Sequence, residues 1–223
     1  MAERASCTGS DLCQELAGAA DTTFRRIYGG SPPGRIIGGG GTVSLLADMS
    51  PLTRGHLLLV PNTHYVSFGA LMSEHAKAVT AALDEIVPHY RTSFGEPVFL
   101  EHGSTSRMDG SACIIHAHIH LLPLRFDEVN ALMSQDGLTG TPLSGIVDLE
   151  QFGGVDMPYF YCGDAADHRV YSAVQARPRQ YLRSVAGRLL GIADPEWDYA
   201  VVVRKNLLMA TVEAAASWRL SLP

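Results

Sequence analysis

Cysteine is scarce in this chain. Its 223 residues include four, scattered rather than paired by spacing, so no disulfide framework is indicated and a reducing, cytoplasmic setting is expected. A basic excess is missing too. Lys and Arg number 17 against 23 Asp and Glu, for a formal net charge of −6, which argues against nucleic acid as the main partner. No apolar run approaches the ~20 residues that span a bilayer, and the opening Met-Ala-Glu-Arg-Ala-Ser-Cys has no charged-then-apolar leader. Internal repeats and low-complexity tracts are absent. What remains is a chain with 46% apolar and 18% charged residues, enough for one large domain or a domain with a substantial extension.

Histidine is where the sequence is unusual. Three of its nine histidines alternate in Cys113-Ile114-Ile115-His116-Ala117-His118-Ile119-His120-Leu121-Leu122-Pro123. Alternation is the strand period, so an extended backbone puts His116, His118 and His120 on one face, with Ala117, Ile119 and Leu121 in a core on the other. Same-face neighbours on a strand are roughly 6.5–7 Å apart, a spacing that lets imidazoles surround a small anion such as a phosphate. Two other readings stand beside this one. The histidines could be purely structural, or they could ligate a metal through neutral ring nitrogens, although one strand seldom supplies all three ligands of a catalytic zinc.

His116-Ala117-His118-Ile119-His120-Leu121-Leu122 resembles the signature of the histidine triad (HIT) superfamily of nucleotide hydrolases and transferases, His-φ-His-φ-His-φ-φ with φ apolar. A second segment, Pro51-Leu52-Thr53-Arg54-Gly55-His56-Leu57-Leu58-Leu59-Val60-Pro61-Asn62-Thr63-His64, resembles the family's Pro-x-x-x-Gly-His strand followed by Pro-Lys-x-His. The likeness covers roughly Asp11 to Leu124. It implies an α+β fold: a HIT-like antiparallel sheet with packed helices over residues 1–125, followed by a C-terminal α/β extension over 126–223 that docks on the core. It also implies a homodimer.

The resemblance further implies a site. His118 would be the nucleophile toward the α-phosphorus of a nucleotidylated substrate. His120 would donate to a phosphoryl oxygen or leaving atom, His116 would support the nucleophile, and His56 would orient the triad. Glu101 and Gly103 belong to a Glu-His-Gly variant of a family loop and are expected at the substrate, joined by Arg107, Ser111 and Cys113 from the linker before the triad. Neither a metal nor another cofactor is expected. Some relatives carry a Cys-x-x-Cys that joins two histidines around a structural zinc, but Ser10 replaces the first cysteine here and leaves Cys13 alone. His120, where sugar-phosphate transferases of the superfamily usually have Gln, favours hydrolysis or phosphorolysis. The partner is then a nucleotide or nucleotidylated small molecule, with no membrane and no nucleic acid. A binding module whose chemistry has lapsed, or a specialised biosynthetic transferase, are the alternatives.

Along the chain, hydrophobic periodicity and turn residues predict a helix over Asp11–Ala20 capped by Ser10 or Asp11. A hairpin follows around Gly38–Gly41, then a strand over His56–Pro61, a helix over Ser73–Tyr90 that Pro88 ends or kinks, and a strand over Pro97–Gly103. In the extension they predict a helix over Asp127–Gln135, a loop over Gly137–Gly154 and a hairpin of Pro158–Cys162 with Arg169–Val174. A helix over Arg179–Leu190 with its Arg residues outside, a strand over Ala200–Val203 and a helix over Asn206–Trp218 complete it.

Overall fold

The computed structural model describes residues 10–104, 116–154, 157–175, 177–178, 180–193 and 202–223. Its helices are α1 (Asp11–Leu16), α2 (Thr23–Tyr28), α3 (Phe68–Phe94), α4 (Phe126–Gln135), α5 (Tyr181–Leu189) and α6 (Lys205–Ala215), with a 3-10 segment at Ile146–Phe152. Its strands are β1 (Ile36–Gly39), β2 (Val43–Ala47), β3 (Leu57–Pro61), β4 (Val98–Gly103), β5 (Ile119–Leu122), β6 (Gly140–Leu143), β7 (Tyr159–Gly163) and β8 (His168–Ser172). All eight join one antiparallel sheet in the order β1-β2-β3-β5-β4-β7-β8-β6, which makes the fold α+β. None of the described helices is long and apolar enough to cross a membrane.

The pleat divides the sheet's side chains between two cores. On one face Leu57, Leu59, Phe99, Ile119, Leu121, Tyr159 and Tyr161 pack against α3, the 3-10 segment and α6. On the other, Val98, Leu100, Leu122, Phe160 and Cys162 pack beneath α4 and α5. Leu46, Leu58 and Val60 on that same face pack beneath Leu12 of α1. The triad strand lies between these last two apolar patches, because Leu58 and Leu100 are the cross-strand partners of His120. The strands of the extension are not a separate layer: β7 pairs with β4 from Phe99↔Gly163 to Gly103↔Tyr159 and carries the sheet outward.

Several local expectations change. Helix α3 starts earlier than predicted, at Phe68, where the Ser67 hydroxyl accepts from the Ala70 amide at 3.1 Å. It also runs past Pro88 to Phe94; its non-helical residue is His75. Pro88 and Asp84 both lie on the exposed side, where water can satisfy the Asp84 carbonyl that the proline leaves without a donor. The predicted loop over Gly137–Gly154 contains β6 and the 3-10 segment; β6 tolerates Pro142 because it is an edge strand. Of the predicted strand over Ala200–Val203, residues 200 and 201 lie outside the described residues, and Val202 and Val203 join no strand. The triad strand itself is short, because the ladder begins only at Ile119. Ahead of it, Ala117 is held by one bond to the Tyr65 carbonyl, 2.7 Å.

Candidate functional site

Four imidazoles and one ion pair share the face of the sheet between α1 and α5. The His118 and His120 rings meet edge to face with centroids 4.8 Å apart, and the His120 and His56 rings lie 5.1 Å apart. Burial sets their protonation. It pushes the His56 pKa down to about 3, lowers that of His118, and lowers that of His120 well below its ordinary value, so all three are neutral at neutral pH.

Neutral rings carry one proton each, and the hydrogen bonds say where it sits. The Leu52 amide donates to His56 Nδ1 at 3.1 Å, so the His56 proton is on Nε2, 2.9 Å from His120 Nδ1. His120 Nδ1 accepts it, and the remaining His120 proton is on Nε2. His118 Nδ1–H donates to the His116 carbonyl at 2.9 Å, which leaves the Nε2 lone pair of His118 free for attack. One ring thus offers a lone pair and its neighbour a proton.

Asp48 and Arg183 complete the cluster. Asp48 Oδ2 is 3.4 Å from His56 Nε2 and 3.9 Å from His120 Nδ1. Arg183 donates to Asp48 Oδ2 at 2.7 Å and to the Ser50 carbonyl at 2.5 Å. Against burial, which pushes the Asp48 carboxyl up, the guanidinium holds it well below the usual carboxylate range. Neither residue was expected at the site from sequence, although Gln180, Leu182 and Arg183 resemble a Gln-x-Leu-Arg helix in longer members of the superfamily. Arg183 corrects the expectation that the arginines of its helix face outward: it is 9% exposed and reaches inward from α5.

His116 has a different neighbourhood. Its Nε2–H donates to the Pro61 carbonyl at 2.7 Å, and its Nδ1 lies 3.2 Å from Cys13 Sγ. His64 Nδ1 is 3.5 Å from the same sulfur. So Cys13 is not an isolated thiol. Its sulfur and the two imidazole nitrogens lie within 4.8 Å of one another and fit three positions of a tetrahedral zinc. Cys13, His64 and His116 would hold such an ion; its role would be structural, tying α1 to the triad segment. The Pro61 carbonyl already fixes the His116 tautomer that leaves Nδ1 as a ligand.

Glu101 and Gly103 do not join the imidazoles. Both point to the opposite face, which corrects their expected place at the substrate. The buried Glu101 carboxylate accepts from the Phe68 amide at 2.5 Å, at the start of α3, and from the Tyr159 hydroxyl at 2.8 Å. Gly103 is glycine because a Cβ there would come within 2.2 Å of the Tyr159 ring. Asn62 also turns aside, donating to the Gly40 carbonyl at 2.7 Å. Arg107, Ser111 and Cys113 lie outside the described residues. The residue of β4 that does reach the imidazole face is His102, between Glu101 and Gly103.

Residues 31–127 match the family model for the HIT domain. The chain is 28% identical over 105 residues to "Protein hit" of Bacillus subtilis (strain 168), an alignment spanning 47% of this chain and 72% of that protein. Among solved structures, a Zn-bound histidine triad family protein from Mycobacterium smegmatis aligns at 22% identity and a TM-score of 0.38, covering 52% of this chain and 76% of that one. SMU.412c from Streptococcus mutans UA159 aligns at 18% identity and a TM-score of 0.40, covering 59% and 85%. Residues 31–127 are therefore matched as a HIT domain.

Proposed function

We propose that this protein is a nucleotide hydrolase that cleaves the α-phosphate bond of a nucleotidylated small molecule through a covalent nucleotidyl-His118, releasing a nucleoside monophosphate, with AMP as the favoured product. Superfamily members are generally nucleotide hydrolases or transferases, and this reading selects among their activities. The observation that carries it is the complementary tautomer pair: His118 with its lone pair on Nε2, His120 with its proton on Nε2.

In the first step His118 Nε2 bonds to phosphorus as the bond to the leaving group breaks. An amine departs from its N-protonated form, taking that proton with it, while His120 Nε2–H donates a hydrogen bond to the departing atom or a phosphoryl oxygen and keeps its proton. His56 Nε2–H stays on His120 Nδ1 and holds that ring in its donating tautomer. Water then attacks the phosphoramidate, the phosphorus–Nε2 bond breaks and returns the lone pair to His118, and the monophosphate leaves with the water's oxygen while the water's proton passes to solvent. Candidate substrates are phosphoramidates, dinucleotides and acyl or sugar nucleotides. A phosphorolytic or transferase activity replaces water with another acceptor, and a lapsed enzyme keeps only the binding. Residues 1–125 supply the imidazoles in this reading, and residues 126–223 close over them. The assembly is a homodimer; a monomeric mass by light scattering at micromolar concentration would overturn that.

The test is rapid quench of the wild-type protein with adenosine 5′-phosphoramidate. A nucleotide adduct on His118, acid-labile and hydroxylamine-sensitive, is expected, and His118→Asn should abolish turnover while keeping AMP binding. Full activity in His118→Asn would sink the mechanism. Tight AMP binding by wild type without turnover of AMP- or GMP-linked amines, acyl groups, sugars or dinucleotides would favour the binding module.

A further inference from the structure

His102 has no role in the chemistry above, yet its place is specific. In the β4–β5 ladder Leu100 pairs with His120 and Glu101 with Ile119. One further step in that register sets His102 opposite His118, on the same face. Repulsion from His118 is accordingly one of the influences on the His102 ring, after burial, that bring its pKa down to about 4. The ring is neutral at neutral pH and carries one N–H.

Three observations separate His102 from an ordinary strand histidine. Its Nε2 is buried and has no hydrogen-bond partner among the described residues. A buried polar atom left unpaired is costly, and such atoms gather where a ligand supplies the partner. Next, His102 and His118 are the partly exposed members of the group, while His56, His116 and His120 are buried, so these two rings are the ones open to an incoming molecule. Finally, the ring is braced. Phe160, its cross-strand partner on β7, packs against it with centroids 4.8 Å apart, and Tyr181 of α5 backs Phe160 at 5.1 Å. The extension therefore fixes the orientation of an imidazole that makes no hydrogen bond within the described protein.

We propose that His102 is a substrate-contacting residue whose Nε2–H donates to an oxygen of the phosphoryl group attacked by His118, from the side opposite His120. The inference rests on the nucleotide reading of the site and adds to it a phosphate contact held in place by the extension. No bond is made or broken at His102.

Two measurements test it. In 15N-histidine-labelled wild-type protein, AMP should shift the His102 Nε2 resonance as well as that of His118. Then kcat/KM for adenosine 5′-phosphoramidate and the AMP Kd should be compared for wild type, His102→Phe and His102→Gln. Phe fills the space beside Phe160 without a donor and should weaken kcat/KM and AMP affinity roughly ten- to a hundredfold, the range for a hydrogen bond to a charged group. Gln restores a donor and should recover most of that loss. A His102→Phe protein within twofold of wild type in both quantities would overturn the proposal, as would a His118 resonance that responds to AMP while His102 stays still. If neither resonance responds and wild type turns over no nucleotide, the nucleotide reading itself falls and the contact with it.

Discussion

At the scale of single residues, the site is a set of imidazoles kept neutral by burial, and that has a consequence for stability. His56 has its pKa pushed down to about 3 and His102 to about 4, in both cases chiefly by burial. In the unfolded chain both titrate near 6.5. Between those values the unfolded state binds more protons than the folded one, so stability rises with pH. The contribution is complete above about pH 6.5 and is lost as pH falls toward 4. Urea midpoints at pH 7.5 and pH 5.0 should therefore differ, with loss on the order of 2 kcal/mol per buried imidazole at the lower pH. His56→Phe should flatten the dependence; an unchanged slope would mean that folding leaves the His56 pKa where it was. Catalysis should show the same sign, with kcat for the phosphoramidate falling on the acid side as His118 gains a proton and loses its lone pair. His118, His120, His116 and His56 were legible in the sequence because alternation and flanking apolar residues mark them. His102 was hidden, since its face depends on the β4–β5 register, and Glu101 and Gly103 beside it carried the family likeness while pointing the other way.

At the scale of elements, the link to explain is the one between β2 and α5. Asp48 just follows β2, Arg183 sits in α5, and they meet 135 residues apart at 2.7 Å with both side chains almost buried. Removing one partner of such a pair leaves an uncompensated charge in a dry site, at a cost of about 3–5 kcal/mol. Arg183→Met should lower unfolding free energy by about that amount. Asp48→Asn combined with Arg183→Met should recover much of the loss, because neither charge is then stranded. Arg183→Lys should recover little, since one ammonium does not reproduce a guanidinium that serves the Asp48 carboxylate and the Ser50 carbonyl together. Additive losses, with the double variant losing as much as Asp48→Asn and Arg183→Met together, would show that the pair is not coupled. Periodicity found α5 and its apolar residues Tyr181, Leu182 and Val185, but an arginine on an amphipathic helix reads as solvent-facing until the helix is docked. For the same reason β6 went unseen: Gly140-Thr141-Pro142-Leu143 has the composition of a loop, and only pairing with β8 makes it a strand.

At the scale of the whole molecule, the HIT domain and the residues after it share one sheet and one of its cores. The match to the HIT domain ends at residue 127, yet β7 continues the sheet from β4 through five residue pairs. Leu52, Val98, Leu100 and Leu122 belong to the HIT domain, and their burial depends on α4, α5 and β7. Exposing each costs roughly 1.5–3 kcal/mol, so together the four rival the ~5–15 kcal/mol that stabilises a typical domain. A free β4 edge beside those leucines would also invite strand pairing with other chains. Residues 1–125 produced alone should therefore aggregate or lack a cooperative melt. The full chain should unfold in one transition, and fluorescence from the Trp residues and far-UV circular dichroism should report it at the same temperature. Two separated transitions in the full chain, or a soluble 1–125 fragment with native-like amide dispersion, would mean that the HIT domain folds without its extension. In that event Arg183 and the Phe160–Tyr181 brace behind His102 would be additions to a site that already stands.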